Sequence, residues 1–351
     1  AKVRIIRMNK KKLQEHNNSS VISKVLKIKK RIGFNGVSIN SKEIKKGNLF
    51  IAIKGPKKDG HNYLKEAIKK GASHCVVSKT FKKRFVKSNK IIKVKNTFNF
   101  LNQLANETRK MNNSKIIGIT GSSGKTTVKF IIGNILKQYS KTYFSPKSYN
   151  NHYGVPLSLS NLEKSHRYGV FEIGMSKKGE INKLSKIVKP DIGVITNISQ
   201  AHLENFKNVM GIAKAKGEII NNIKKDGTLI LNRDDKFFNF FRTKAKKKGL
   251  QVISFGNSKK ADVYPVSIKK YNNTFKINIM VFEKKIFLKT KKVNIHNILI
   301  ALSILKKLKL NFNKIEKFFK NYESLEGRGK LYNVRRYKKK FKFIDESYNA
   351  N

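Results

Sequence analysis

The stretch SKIIGITGSSGKTT, residues 114–127, decides the fold. An apolar strand, a glycine-rich turn and a helical segment follow one another there, the context a nucleotide-binding loop requires. The glycines let backbone N–H groups curl around phosphate oxygens, and the helix N-terminus adds its partial positive charge. Lys125 would neutralise the β- and γ-phosphates, and the Thr126 hydroxyl can ligate Mg²⁺. Gly121, Ser122, Ser123, Gly124, Lys125, Thr126 and Thr127 are therefore the candidate ATP-binding residues. The strict G-x-x-x-x-G-K-[ST] form needs glycine at 119, where this chain has Ile119, so the loop is a shortened variant.

Outward from the loop, strands and helices alternate: YGVFEIG, a helix in KKGEINKLSKIV, PDIGVITNIS, a helix over 208–222, GTLILN, a lysine-rich helix and QVISFG. Such alternation predicts a mostly parallel, doubly wound sheet. Upstream, NLFIAIKG, a polar KKDGH turn, the helical YLKEAIKKGA and the strand CVVS read as a small α/β unit. Residues 261–293 change character, with KINIMVF and KKIFLKT reading as antiparallel strands around a YNNT turn. The expected organisation is an N-terminal α/β domain over 1–95, a central nucleotide-binding domain over 96–325, and the start of a third α/β domain over 326–351.

The chain has 351 residues and a formal net charge of +58, from 79 Lys+Arg against 21 Asp+Glu. Only eleven of the 79 are arginine, and the 68 lysines are spread through every segment. Phosphate recognition favours the bidentate guanidinium, whereas scattered lysine coats solvated faces, so the charge does not by itself indicate nucleic acid. A single cysteine, Cys75, excludes a disulfide framework and a cysteine-based metal site, and fits the cytoplasm. No apolar run approaches the roughly 18 residues of a membrane span, and the first ten residues lack a signal-peptide core.

Two residues downstream fall at carboxyl ends of predicted strands, the edge where ligands bind in such sheets: Glu172 after YGVFE and His202 after DIGVITNIS. A carboxylate is the usual Mg²⁺ ligand and histidine a rarer one, while a helix-capping acid is the alternative for Glu172. Lys216 is placed more unusually. Val209, Ile212, Ala213, Lys216 and Ile220 share one helical stripe, with Lys214 off it. A lysine in an apolar stripe snorkels, pairs with a carboxylate or is chemically modified.

Together these residues resemble the Mur ligase family of ATP-dependent amide-bond-forming enzymes. TGSSGKTT (120–127) is similar to its ATP signature, and YNNHYGVPLSL (149–159), FEIGMS (171–176) and TNISQAHLENF (196–206) to its central-domain motifs. Lys216 in AKAKGEI resembles the lysine that several members carbamylate, which would turn a buried cation into an anionic Mg²⁺ ligand. The closing IDESYNAN (344–351) and the segment VSINSKEIKKGNLFIAIKGPKKDGHNYLKEAIKKGA (37–72) resemble the family member that adds D-alanyl-D-alanine to UDP-N-acetylmuramoyl-tripeptide. Asn40-Ser41-Lys42 stands where that member has Asp-Ser-Arg, and Glu346 replaces an aspartate.

The resemblance implies a cytoplasmic, monomeric enzyme of peptidoglycan precursor synthesis, hence of cell-wall growth, shape and division, with ATP and two Mg²⁺ ions. Its partners would be UDP-N-acetylmuramoyl-tripeptide and D-Ala-D-Ala, with no specific nucleic acid and no membrane span. The substrate carboxylate would attack the γ-phosphate, and the amine of D-Ala-D-Ala would displace phosphate from the acyl phosphate. Lys125, Glu172, His202 and Lys216 are the implied catalytic residues; Thr126 and Glu172 would hold one metal, His202 and carbamylated Lys216 the other. Asn297, Arg328 and Asp345 would complete the ATP site. Ser41, Lys42, Asp59, Gly60 and His61 would contact UDP, and Asn150 and Asn151 the muramoyl-peptide or its metal. His296, beside Asn297 at the helix start, belongs to the same resemblance, with helix capping as its alternative role. The family's C-terminal domain continues past the position of Asn351, so no ligase turnover is expected of these 351 residues alone. The competing readings are another Mur or folylpolyglutamate-type ligase, and a basic nucleotide- or nucleic-acid-binding protein.

Overall fold

The computed structural model describes residues 20–29, 32–82, 88–200, 205–272, 274–291, 294–336 and 339–348. Two compact units emerge: one comprises residues 1–116, 141–173 and 183–189, the other 117–140, 174–182 and 190–351.

The first unit opens with a helix, α1, over 20–26. Its sheet is four-stranded, in the order β1 (Val37–Ser38), β2 (Leu49–Ile51), β3 (His74–Ser78), β4 (Ile91–Val94), and all neighbours are parallel. The runs LFI and CVV carry no polar residue, as strands covered on both faces must not. Leu49, Ile51 and Val76 pack under Phe100, Leu101 and Leu104 of α3 (Thr97–Lys110). Phe50, Cys75 and Val77 face the other way, onto Leu64 and Ala67 of α2 (Leu64–Lys69). The Asn96 side chain starts α3 by accepting from the N–H of Asn99, satisfying one orphan donor of the first turn. Later in the chain this unit adds β6 (Thr142–Phe144), α5 (Gly154–Ser160) and β7 (Tyr168–Glu172), with β6 and β7 parallel.

The second unit is built on β5 (Lys115–Thr120), which continues from the first. From β5 the order runs through β8 (Ile192–Ile195), β9 (Thr228–Asn232) and β10 (Gln251–Phe255), all parallel. Then come β11 (Val263–Tyr271), β12 (Thr274–Val281) and β13 (Lys284–Thr290), paired antiparallel with one another. The helices are α4 (Lys125–Lys137), α6 (Glu180–Val188, shared with the first unit), α7 (Val209–Lys216), α8 (Phe238–Lys247), α9 (Ile295–Lys307) and α10 (Asn313–Lys320). The parallel run and its antiparallel extension agree with the expected α/β class.

Three local expectations need correcting. The YNNT turn joins β11 to β12, not KINIMVF to KKIFLKT; those two strands turn at Phe282-Glu283. VYPVSIKKY, not anticipated from the sequence, is the strand β11, which tolerates Pro265 beside the register shift at Pro265/Ser267. The helix expected over 208–222 is α-helical only to Lys216 and continues as a 3-10 segment, Gly217–Asn222, because glycine weakens the helix there. After Arg328, in the stretch expected to start a third α/β domain, the chain forms a two-stranded antiparallel hairpin, β14 (Lys330–Arg336) and β15 (Lys339–Asp345).

Candidate nucleotide-binding site

The loop between β5 and α4 takes the shape its glycines allow. Gly121 has φ +148, and a Cβ there would lie 1.9 Å from Thr196 Oγ1, so no other residue fits. Gly124, at φ +77, caps α4, which begins at Lys125. The Lys125 ammonium folds back over the loop and donates to the carbonyls of Gly121 (2.8 Å) and Ser122 (3.2 Å). Thr126 is buried in the first turn of α4.

The strand end beyond β8 braces this loop. Thr196 Oγ1 donates to the Ser123 carbonyl at 2.7 Å, and Asn197 takes the Ser123 N–H at 3.1 Å while its amide donates to Ser123 Oγ at 2.9 Å. The Ser122 N–H donates to the Asn197 carbonyl, so both serine N–H groups are committed to the brace. Asp235, just after β9, accepts from the Ile198 N–H at 2.7 Å and anchors the strap in turn. Thr196 and Asn197 lay inside a quoted motif yet were not singled out from sequence. Their signal was position alone, at the carboxyl end of the strand beside the loop.

Lys216, the last residue of α7, is 2 % exposed, whereas Lys214 lies in solvent, as the stripe predicted. It does not snorkel. Burial, and to a lesser extent the nearby Lys125 ammonium, push its amine down to about 7. Lys216 is thus electrostatically tied to the phosphate loop, and no carboxylate offsets it among the described residues. His202 lies outside the described residues.

Beside the loop, a cavity of about 270 Å³ is lined by Gly124 and Thr127, by Asn297 at the start of α9, and by Phe319, Tyr322 and Arg328. Asn297 is buried, and its N–H donates to the side chain of Asn294. The cap of α9 is therefore Asn294, not His296, which stands outside the lining against Phe255. Arg328 stacks over the Tyr348 ring at 4.1 Å. The Asp345 carboxylate is occupied by turn hydrogen bonds, accepting from the Gly327 N–H (2.8 Å) and from Ser347 Oγ (2.6 Å). Those bonds hold it below the usual carboxylate range, and it is not a lining residue. Glu346 does line the cavity, as does Tyr322, whose phenol burial pushes up to about 12.

In the first unit, Glu172 at the end of β7 is buried and accepts from the Asn150 amide at 2.8 Å. Asn151 starts α5 instead, its side chain accepting from the N–H groups of Tyr153 and Gly154. The same unit holds a cavity of about 580 Å³ lined by Asp59, His61, Ser78 and Phe81 together with Lys54, Lys82 and Lys95. His61 Nδ1 lies 2.6 Å from Asp59 Oδ1, and its Nε2 accepts from the Ser78 N–H at 3.0 Å. That pairing places the ring proton on Nδ1. Gly60 is required because a Cβ would meet the Ile53 backbone at 2.7 Å. Ser41 and Lys42 are not lining residues; Ser41 Oγ donates to Glu66 at 2.7 Å, and Lys42 is exposed. The three cavity lysines were invisible among 68 until the fold gathered them.

Residues 119–305 match the Mur ligase middle domain and residues 33–109 the catalytic domain of the Mur ligase family. The chain belongs to the Mur ligase family, which are ATP-dependent ligases.

Within it, the chain is 33 % identical over 343 residues to the UDP-N-acetylmuramoyl-tripeptide–D-alanyl-D-alanine ligase of Rickettsia prowazekii (strain Madrid E), covering 95 % of this chain and 74 % of that protein. The ligase of the same name from Bacillus subtilis (strain 168) is 33 % identical, covering 70 % of this chain and 54 % of its own length. Among solved structures, MurF from Acinetobacter baumannii superposes with a TM-score of 0.79 at 28 % identity, over 95 % of this chain and 73 % of that one. MurF from Thermotoga maritima in complex with ADP gives 0.73 at 29 % identity, over 90 % and 71 %.

Proposed function

We propose that this chain carries the ATP- and UDP-substrate-binding parts of a cytoplasmic, monomeric ligase that adds D-alanyl-D-alanine to UDP-N-acetylmuramoyl-tripeptide in peptidoglycan precursor synthesis. The likeness to the Rickettsia ligase along 343 residues carries this reading. The loop 121–127 holds the phosphates, and Asn297 and Arg328 hold the nucleoside side in the cavity beside it. Asp345 acts there by fixing the turn that presents Gly327 and Arg328. Asp59, Gly60 and His61 shape the uridine-nucleotide cavity, with Ser41 and Lys42 nearby in sequence. Asn150 orients the Glu172 carboxylate, and Asn151 sets the start of the helix that follows.

The chemistry brings a substrate carboxylate onto a phosphate, two anions that repel. Lys125 counters that repulsion, and it leaves the loop carbonyls for the phosphate oxygens when nucleotide enters. Among the described residues no group of three His, Cys, Asp or Glu is placed to hold a metal. The donor set nevertheless suits Mg²⁺: the Thr126 hydroxyl, the Glu172 carboxylate, His202, and Lys216 once carbamylated. Lys216 with its amine drawn down to about 7 has a neutral fraction at physiological pH, and only the neutral amine takes up CO₂. Bound Mg²⁺ would neutralise charge accumulating on the transferring phosphoryl group. The substrate carboxylate then takes the γ-phosphoryl group with loss of ADP, and the dipeptide amine displaces phosphate from the acyl phosphate.

Calorimetric titration of this chain with UDP-N-acetylmuramoyl-tripeptide at physiological salt tests the reading. Saturable one-to-one heat is expected, and it should weaken when Lys54, Lys82 and Lys95 are changed to Gln together. Absence of heat with the UDP-peptide, while ATP still binds, would refute the assignment to this ligase but not the family.

A further inference from the structure

A second basic cavity, of about 240 Å³, lies on the second unit and shares no lining residue with the cavity beside the phosphate loop. One wall is the face of α8 that carries Phe238, Arg242 and Lys246, spaced four apart and so stacked on one side of the helix. Arg233, just after β9, and Lys260, before β11, complete the charged rim. Phe238, Leu250 and Val252 form an apolar floor.

Two of the charges there are half-buried, on Arg233 and Arg242, and two are exposed, on Lys246 and Lys260. Eleven arginines serve the whole chain, and two of them converge on this one cavity. The Arg233 guanidinium stacks on the Phe238 ring at 4.6 Å, which fixes its plane and leaves its N–H edge to point elsewhere. Asp262 is the one acid in the lining, and it is committed to Ser254, another lining residue: its Oδ2 accepts from both the N–H (2.7 Å) and Oγ (2.6 Å). Among the described residues no ion pair or side-chain hydrogen bond engages the charged ends of Arg233, Arg242, Lys246 or Lys260. Four cations against one committed acid leave the cavity lining a net formal charge of +3.

We propose that this cavity is a binding site for a multivalent phosphate anion, of the phosphate or pyrophosphate class, distinct from the nucleotide loop. The two guanidinium forks take the oxygens, and Lys246 and Lys260 balance the remaining charge. This inference does not depend on which ligase the chain belongs to.

The chain has no tryptophan, so Phe238→Trp places a single local fluorophore on the cavity floor under Arg233. Titration with pyrophosphate in Mg²⁺-free buffer at physiological ionic strength is expected to give a saturable emission change. Adding Arg242→Gln should raise the half-saturation concentration about tenfold or more, the loss of one charge-assisted fork. Adding Lys125→Ala, which disables the nucleotide loop, should leave it within about twofold. Lys269→Gln, on the exposed face of β11, controls for diffuse charge. Calorimetry on the otherwise unsubstituted chain, with and without Arg242→Gln, guards against damage by the tryptophan. The proposal is overturned by a signal that Lys125→Ala abolishes and Arg242→Gln spares, or by an equal weakening from Lys269→Gln. A pyrophosphate heat that Arg242→Gln does not change would overturn it as well.

Discussion

Replacing Lys216 with methionine should make the folded chain more stable at neutral pH. The side chain is 2 % exposed, and its folded amine titrates near 7 against an ordinary 10.5. At roughly 1.4 kcal/mol per pH unit, that displacement corresponds to about 5 kcal/mol of destabilisation by the protonated form. The unfolded chain keeps this proton up to about pH 10.5, whereas the folded chain releases it near 7. Between those values the unfolded state binds more protons, so the parent gains stability as pH rises and pays the full penalty below 7. Methionine has similar length and no charge, so Lys216→Met removes the pH-dependent part and keeps most of the packing.

Urea unfolding of parent and variant at pH 7 and pH 9, in CO₂-depleted buffer without Mg²⁺ or nucleotide, measures the effect. The stability gap in favour of the variant should be about 4 kcal/mol at pH 7 and narrow to about 2 kcal/mol at pH 9. The narrowing is the diagnostic quantity, because any difference in methionine packing is the same at both pH values. A gap of constant size, or a variant less stable than the parent at pH 7, would show that the amine is not carrying a desolvation penalty. Such a result would also remove the physical case for a neutral amine that takes up CO₂.

Three further outcomes follow from the same geometry. Gly121→Ala drives a Cβ into Thr196 Oγ1 and strains a φ of +148, so a fluorescent ADP analogue should bind at least about tenfold more weakly, with a stability loss of about 1–3 kcal/mol; wild-type affinity would contradict the loop geometry. Asn197→Ala frees Ser123 from its brace and should cost about tenfold in nucleotide affinity with little change in unfolding midpoint, whereas a large loss of stability with intact affinity would make the residue structural only. Cys75 is fully buried with its thiol pushed up to about 11, so Ellman's reagent at pH 8 should label it only as fast as the chain unfolds; rapid stoichiometric labelling of the native chain would place it at the surface.

The phosphate loop was legible in sequence because its chemistry is local: strand, glycines, lysine and helix are consecutive, and each contributes through backbone it owns. Lys216 was legible for the same reason, since a helical stripe needs only its own period to declare which side chain goes inward. Asn197, Lys54 and Arg233 belong to a different kind of information. Asn197 acts on Ser123 from 74 residues away, and Lys54 meets Lys82 and Lys95 only once β2, β3 and β4 lie side by side. Arg233 and Arg242 look like two scattered arginines until β9 and α8 pack and one ring stacks under one guanidinium. In a chain with 79 cations, identity says little about any one of them; what distinguishes them is which neighbours the packed structure gives each one. The same measure separates Lys216, buried and depressed beside Lys125, from Lys214 two residues away in solvent.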